Sequence, residues 1–252
     1  MFQNRKTNSI KERRIMSRSI LYIGPSGCGK TTSIRNLDPG ETYLISVINK
    51  DLPFPNWRSK YFESTPERQG NRKIIFRNAA TSDPTKSKSK IYSEASEDVC
   101  KTMKLISERL PNIKTIIVDD SQYLMSFEFM ARAKEKGFEK FSEIGQNFFN
   151  VLTTAQELRE DINVIFLHHS EGIDGVVKAK TIGRMLDEKV TIEGLFTIVL
   201  LGQSRKSNGR LEYIIVTNSD GATTAKSPMQ LFDYEEPNDL DVILRKIHEY
   251  NS

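Results

Sequence analysis

The sequence predicts an α/β fold: a mostly parallel β-sheet with helices on both faces and a β-hairpin towards the C-terminus. Short apolar strands alternate with helical segments from residue 19 onwards, which is typical of a parallel sheet covered on both sides. A β-branched segment at 113–119 has the composition of a strand buried on both faces. Two apolar strands joined by the turn sequence SRKSNG predict the hairpin.

The elements are expected in a regular order. A first strand at 19–23 precedes a glycine-rich loop, and the helix after it, at 30–37, should stop before Pro39 because proline cannot continue a helix. Apolar residues recur on one face of a helix at 93–110, and Gly137 separates two later helices. Residues 79–90, rich in Ser, Thr and Lys, predict an exposed loop. The other expected elements are strands at 42–48, 73–76, 163–167, 197–202 and 211–217 and a helix at 239–250.

Charge and composition suggest three regions: a flexible basic arm at 1–18, a domain at 19–235, and a C-terminal helix at 236–252 packed on that domain. The arm holds six basic residues and one acidic residue, so we expect it either to contact nucleic acid or a membrane surface or to be a solvated tail. Elsewhere acidic and basic residues nearly balance. The formal net charge of +4 is therefore no evidence for nucleic-acid binding.

The chain has only two cysteines, Cys28 and Cys100, which indicates a reducing compartment. It also lacks an apolar run long enough to span a membrane and an apolar signal core near residue 1. These observations predict a cytoplasmic protein without a membrane partner.

The loop after the first strand has the sequence GPSGCGKTT and matches the pattern G-x-x-x-x-G-K-[ST]. Its glycines let backbone N–H groups turn towards anionic oxygens, and the helix that follows adds its N-terminus. Lys30 is suited to the β- and γ-phosphates, Thr31 to a magnesium ion and Thr32 to the α-phosphate. The loop therefore predicts ATP or GTP with Mg²⁺, and the candidate nucleotide-binding residues are Gly24, Pro25, Ser26, Gly27, Cys28, Gly29, Lys30, Thr31 and Thr32.

A second motif supports the first. The apolar strand that ends in Asp119 and Asp120 should deliver both carboxylates to the edge where the strands of a parallel sheet end. Asp119 is the expected Mg²⁺ ligand, acting through a water molecule. For Asp120 two interpretations stay open: it orients the attacking water, or it caps a helix that begins near Ser121.

Two adjacent histidines, His168 and His169, end the next strand, so at least one should face the same edge and could sense the γ-phosphate. The alternative is a half-buried histidine without a special role. The third histidine, His248, lies in the terminal helix, and no cysteine cluster accompanies the three. We therefore expect no zinc site.

The loop sequence alone also resembles those of ABC transporter ATPases and guanylate kinases, but the chain has no LSGGQ-type signature and no assignable arginine-rich lid. Four further segments, IKTIIVDDSQYLM, KGFEKFSEIGQN, VIFLHHSEG and KTIGRMLDEKVTIEGLF, are similar to the short RecA-like, AAA-type ATPases of bacteriophages, including the Sak-four group of single-strand annealing proteins. The likeness covers most of residues 16–235.

This resemblance implies a RecA-like P-loop NTPase fold and a magnesium-dependent ATPase that acts on single-stranded DNA in phage recombination or replication. It further implies a homo-oligomer, either a ring or a filament, a single-strand-binding protein as a further partner, and the cytoplasm of a bacterial host. His169 would couple the bound nucleotide, ATP or ADP, to DNA binding. Residues 171–189 would form a mobile DNA-binding loop, whose candidate phosphate contacts are Lys178, Lys180 and Arg184.

The chain departs from this pattern in one place. RecA-like ATPases usually keep a catalytic glutamate after the strand that follows the P-loop helix, but here that strand ends in VINKD, residues 47–51. The departure predicts slow hydrolysis or a catalytic role for Asp120. Two other functions stay open: a nucleotide-dependent switch that binds a protein partner through Phe54, Trp57, Tyr61 and Phe62, and a phosphotransferase acting on a small molecule or nucleotide.

Overall fold

The computed structural model describes residues 17–76, 88–183 and 185–251. Within these ranges it contains strands, α-helices and three short helices of 3-10 or π type. The strands are β1 (Arg18–Gly24), β2 (Thr42–Ile48), β3 (Arg72–Phe76), β4 (Thr115–Asp119), β5 (Asn163–Ile173), β6 (Val176–Ala179), β7 (Ile198–Ser207), β8 (Arg210–Val216) and β9 (Glu235–Pro237). The α-helices are α1 (Trp57–Lys60), α2 (Lys88–Arg109), α3 (Tyr123–Ala131), α4 (Glu139–Gln156) and α5 (Leu240–Tyr250). The 3-10 helices are Thr31–Asn36 and Ile192–Leu195, and the π-helix is Met185–Val190.

The strands form one sheet in the order β3-β2-β4-β5-β1-β7-β8-β9, with β6 paired to β5. The pairs from β3 to β7 are parallel, whereas β7, β8 and β9 pair antiparallel. Strand β5 lies between β1, which leads into the glycine-rich loop, and β4, which ends in Asp119. The predicted mostly parallel sheet with a C-terminal hairpin is confirmed.

Two apolar layers cover the sheet. The alternation of side chains along a strand sends Leu21 and Ile23 into one core and Ile20 and Tyr22 into the other. Helices α2, α3 and α4 pack over the first core. Helix α5, the 3-10 helix after the loop and the segment that contains α1 pack over the second. The rigid sheet between them fixes the positions of the residues at its edges.

The expected helix at 30–37 is a shorter 3-10 helix, Thr31–Asn36. The amide of Ser33 donates to the carbonyls of both Gly29 and Lys30, at 3.0 and 3.2 Å, a bifurcated bond that is common where a helix starts. Leu37 is already extended, with ψ of 145°, and Pro39 follows two residues later.

Strand β5 runs six residues beyond the expected end at Leu167 and turns back into β6. The turn residues Asp174 and Gly175 have φ of 50° and 80°, as a tight two-residue hairpin requires. The Asp-Gly pair between Ile173 and Val176 is the sequence signal for this hairpin. The first half of the loop expected at 171–189 is therefore a β-hairpin.

Two other expected segments begin or end at different residues in the structure. The helix expected at 93–110 begins at Lys88, so residues 88–90 of the predicted exposed loop are helical, while 77–87 lie outside the described residues. Arg18 is the first residue of β1, and the rest of the basic arm, apart from Ser17, lies outside the described residues. None of the helices in the described ranges is long and apolar enough to cross a bilayer.

Candidate phosphate-binding site

The glycine-rich loop has an open crest above a packed base. Pro25, Ser26 and Gly27 are exposed at the crest. Gly27 and Gly29 have φ of 80° and 92°, a region that residues with a Cβ rarely adopt. A Cβ on Gly29 would also lie 2.3 Å from Nδ2 of Asn238. The base therefore fixes the backbone, and the crest is accessible to phosphate oxygens.

Lys30 lies inside the curve of the loop and is only 7% exposed. Its Nζ donates to the carbonyl oxygens of Gly24 and Pro25, at 2.7 and 2.9 Å. Burial lowers the pKa of Lys30, and the nearby acidic groups oppose that effect. The buried side chain of Cys28 fills the space beside Gly24, where a Cβ would come within 2.5 Å of its Sγ. Phosphate oxygens at this loop compete with two carbonyls for the ammonium group.

The side chains of Thr31 and Asp119 meet at the edge of the sheet. The Thr31 hydroxyl donates to Oδ1 of Asp119 at 2.9 Å. Asp119 is the last residue of β4 and is 2% exposed. Burial, followed by the charge of Asp120, raises the pKa of the Asp119 carboxyl above its ordinary value. The site thus gains from any cation that neutralises this carboxylate.

Thr31 and Asp119 offer oxygen ligands of the kind that Mg²⁺ binds. A hydroxyl and a carboxylate are hard oxygen ligands, and Mg²⁺ in nucleotide sites takes one or two such protein ligands together with phosphates and water. Among the described residues, no group of three or more His, Cys, Asp or Glu side chains is placed to hold a metal. A magnesium ion carried by the phosphates does not need such a group.

Asp120 follows in a left-handed conformation, with φ of 62°. Its Oδ2 forms an ion pair with Nζ of Lys50, and its Oδ1 lies 3.5 Å from Nε2 of His169. Burial favours the neutral acid, but the hydrogen bonds from His169 and Lys50 outweigh it and hold the pKa of Asp120 below its ordinary value. Helix α3 begins only at Tyr123, after Gln122, so the helix-cap interpretation of Asp120 is wrong. Asp120 is an ionised carboxylate that faces the site.

The two histidines have different surroundings. His168 is fully buried, with Nε2 at 2.8 Å from the carbonyl oxygen of Lys180 and Nδ1 at 2.8 Å from the Ser121 hydroxyl. Because a carbonyl only accepts, Nε2 carries the proton and Nδ1 accepts from Ser121. Burial lowers the pKa of His168 to about 4, which keeps the ring neutral. His168 therefore holds the backbone of the β5–β6 hairpin against the start of α3.

His169 points the other way, as expected for the next residue of a strand. Its ring faces Asp120 and stands edge-on to Tyr123, with ring centroids 5.5 Å apart. The structure thus brings His169 into one cluster with the predicted residues Lys30, Thr31, Asp119 and Asp120. Thr32 lies beside the loop, half-buried, and its carbonyl accepts from Arg35.

Asn238 supports the loop from below, and it was not predicted from the sequence. Asn238 accepts a hydrogen bond of 2.7 Å from the Tyr22 hydroxyl and donates one of 3.0 Å to the carbonyl of Gly29. Its own carbonyl accepts from Arg35 at 2.7 Å. Asn238 is 209 positions from Gly29, and no local pattern signals a contact over that separation.

In the sequence, Lys50 marks only a departure from the catalytic glutamate that RecA-like ATPases usually keep after this strand. The structure shows what takes that place: an ammonium group paired with Asp120. Burial lowers the pKa of Lys50, but Asp119 and Asp120 outweigh it and raise that pKa. The lysine at the place of the expected glutamate and the second aspartate after β4 are therefore the two partners of one ion pair.

The candidate DNA contacts lie on and beside the β5–β6 hairpin. Lys178 is half-buried on β6 opposite Glu171, and Lys180, just after β6, is exposed. Arg184 lies outside the described residues. The amide of Lys180 donates to the carbonyl of His169 at 2.9 Å. The hairpin is thus joined through its backbone to both histidines.

The aromatic segment proposed for a protein partner is largely part of the core. Phe54 is 7% exposed and Tyr61 is fully buried, with their rings packed edge to face. Trp57 and Phe62 are half-buried. This burial does not favour a partner surface made of all four rings.

A family model described as an AAA domain matches residues 16–229. No curated protein matches the chain. Among solved structures, the flagellar accessory protein FlaH from Methanocaldococcus jannaschii is similar over 86% of this chain and 83% of its own, with 14% identity and a TM-score of 0.45. A KaiC-like protein from Pyrococcus horikoshii OT3 is similar over 82% of this chain and 84% of its own, with 12% identity and a TM-score of 0.42.

Proposed function

We propose that this chain, which belongs to the AAA-domain family, is a magnesium-dependent ATPase that acts on single-stranded DNA. One observation carries the ATPase part: the loop lysine, the Thr31–Asp119 pair and the carboxylate of Asp120 converge at one edge of the sheet. These are the groups that phosphoryl transfer needs, because its catalysis is mainly positioning and charge stabilisation.

In the proposed binding step, the phosphates of ATP lie on the crest of the loop. Lys30 exchanges the carbonyls of Gly24 and Pro25 for β- and γ-phosphate oxygens, and the Thr32 hydroxyl donates to the α-phosphate. The oxygens of Thr31 and Asp119 hold magnesium, which when bound neutralises part of the phosphate charge.

In the proposed hydrolysis step, Asp120 orients a water molecule and accepts its proton. The water oxygen forms a bond to the γ-phosphorus while the bond from that phosphorus to the β–γ bridging oxygen breaks, which gives ADP and inorganic phosphate. Both carboxylate oxygens of Asp120 face cationic or hydrogen-bonding partners, Lys50 and His169. Turnover is therefore expected to be slow.

The DNA part rests on the hairpin and on the resemblance to phage ATPases of the Sak-four group. The His168 ring bonds to the carbonyl of Lys180 and the backbone carbonyl of His169 accepts from its amide, so the hairpin is attached to the part of β5 whose His169 ring faces Asp120. Lys178, Lys180 and Arg184 supply positive charge for a DNA backbone. A ring or filament of identical subunits, a single-strand-binding protein as partner and a bacterial cytoplasm complete this proposal.

The test is single-strand binding measured over a salt series with ADP, with a nonhydrolysable ATP analogue and without nucleotide. We expect the analogue to raise affinity for a dT oligonucleotide, and the Lys30→Ala variant to lose that response while keeping the basal affinity. DNA affinity that ignores the nucleotide would contradict the coupling. No affinity at low salt, with phosphate release from ATP intact, would reduce the proposal to its ATPase part.

A further inference from the structure

Lys50 lies two residues after the end of β2. In the pairing of β2 with β4, Ser46 is opposite Asp119, so the chain after β2 passes beside the residues that follow β4. The Lys50 ammonium reaches Oδ2 of Asp120, while its side chain remains 41% exposed. It therefore lies at the edge of the site, in contact with both protein and solvent.

The backbone of Lys50 is held in place. Its carbonyl accepts a hydrogen bond of 2.9 Å from Nη2 of Arg72, and Nε of the same guanidinium donates to the Ser46 hydroxyl at 2.9 Å. Arg72 is 4% exposed and lies over the ring of Trp57, 5.0 Å from its centroid. A fixed backbone with a long, partly exposed side chain lets the ammonium move between neighbouring acceptors while its origin stays constant.

The partner of Lys50 joins it to the phosphate site. Asp120 follows Asp119 directly, and the carboxylate of Asp119 bonds to Thr31, the residue after Lys30. Burial lowers the pKa of Lys30, and Lys50 lies near enough to Lys30 for its charge to lower that pKa further. A γ-phosphate between them would meet both charges.

The ion pair also limits Asp120. Its Oδ2 takes the Lys50 ammonium and its Oδ1 lies 3.5 Å from Nε2 of His169, so a water molecule at Asp120 shares the carboxylate with both partners. A water molecule at Oδ2 therefore competes with the Lys50 ammonium for that oxygen. The Lys50 side chain is 41% exposed, so its ammonium can also reach acceptors on the solvent side of the site.

We propose that Lys50 contacts the γ-phosphate: on binding of ATP its ammonium leaves Asp120 for a γ-phosphate oxygen, and this exchange frees Oδ2 of Asp120 for the attacking water. The inference rests on the proposed nucleotide binding and adds discrimination between ATP and ADP. ADP has no γ-phosphate, so with ADP the Lys50–Asp120 pair stays closed.

The test compares dissociation constants of Mg-ADP and Mg-AMP-PNP for the wild type and for Lys50→Ala by titration calorimetry. A charge-assisted hydrogen bond to phosphate corresponds to about a tenfold to hundredfold change in affinity. We expect Lys50→Ala to lose about that factor for AMP-PNP and less than about twofold for ADP. Lys50→Arg should keep most of the affinity for AMP-PNP, because it keeps the charge.

The matched control is Lys104→Ala, which removes an exposed lysine on α2. It should change neither constant. Equal losses of Lys50→Ala for both nucleotides, or no loss for either, would overturn the inference while leaving nucleotide binding intact. A wild type that binds neither nucleotide would overturn the proposed function itself. Thermal unfolding of each variant separates a failure to fold from a loss of contact.

Discussion

The Thr31 hydroxyl donates a hydrogen bond of 2.9 Å to the carboxylate of Asp119, which joins two residues 88 positions apart. One belongs to the phosphate loop and the other to the end of β4, and β5 lies between their two strands. The chain after β1 therefore reaches past the end of β5 to meet β4. It places a hydroxyl and a carboxylate where they can share one cation.

The first prediction concerns Asp119→Asn. The amide oxygen still accepts from Thr31, so the fold should be kept, but the negative charge that attracts Mg²⁺ is lost. We expect the wild type to bind ADP more tightly with magnesium than with EDTA, and the variant to show little of this gain. Calorimetric titrations under the two conditions measure it. A variant with the full magnesium effect would show that Asp119 is not the ligand.

The second prediction concerns the support of the loop. Asn238→Ala leaves the buried Tyr22 hydroxyl and the Gly29 carbonyl without their partner, and an unsatisfied buried polar group costs about 1–3 kcal/mol. We expect the free energy of unfolding in urea to fall by about this amount. Adding Tyr22→Phe removes one of the orphaned groups. The double variant should therefore lose less free energy of unfolding than the two single variants lose in sum. Strict additivity would mean that the two side chains do not interact.

The third prediction concerns pH. Burial lowers the pKa of His168 to about 4, whereas an unfolded histidine titrates near its ordinary value of 6.5. Between these values the unfolded chain binds a proton that the folded chain excludes, so stability is present above about pH 6.5 and is lost as the pH falls towards 4. The shift corresponds to about 3 kcal/mol.

The measurement for this third prediction is the free energy of unfolding from pH 7.5 to 4. In His168→Asn, which does not titrate, the curve should be flatter over that window, even though the variant is less stable at neutral pH. The same slope in both proteins would assign the pH dependence to other groups.

The fourth prediction concerns DNA. Each phosphate contact adds about 0.7 to the slope of log affinity against log salt for a single strand. Lys180→Ala should therefore reduce that slope by about 0.7, measured by fluorescence anisotropy of a labelled dT oligonucleotide. Lys206→Ala, an exposed lysine on the β7–β8 hairpin, is the control. An equal effect of the two variants would mean that the β5–β6 hairpin is no specific contact.

Local patterns carried most of the fold and the centre of the site. The glycine-rich loop, the β-branched strand before Asp119 and the alternation of strands and helices each depend on residues close in sequence, so they are readable without a structure. The length of β5 was missed because five polar or small residues follow its apolar run before Ile173, although the Asp174–Gly175 turn was a sufficient signal.

Long-range contacts were not readable in the same way. Whether Asp120 caps a helix or faces the site depends on its left-handed backbone and on Lys50, a residue of another strand end. The sequence alone does not distinguish His168 from His169. The twofold alternation of side chains along β5 sends His168 into the core and His169 towards Asp120. These differences arise from the packing of distant segments.

The hydrogen bonds of Asn238 to Gly29 and Tyr22 have a consequence for synthesis of the chain. A ribosome makes the phosphate loop early and its support more than two hundred residues later. The loop cannot have its full set of contacts until residue 238 has left the exit tunnel. A nascent chain that has already folded β1 therefore still has an incompletely supported loop, and full nucleotide affinity should arise only after Asn238 has emerged and folded against it.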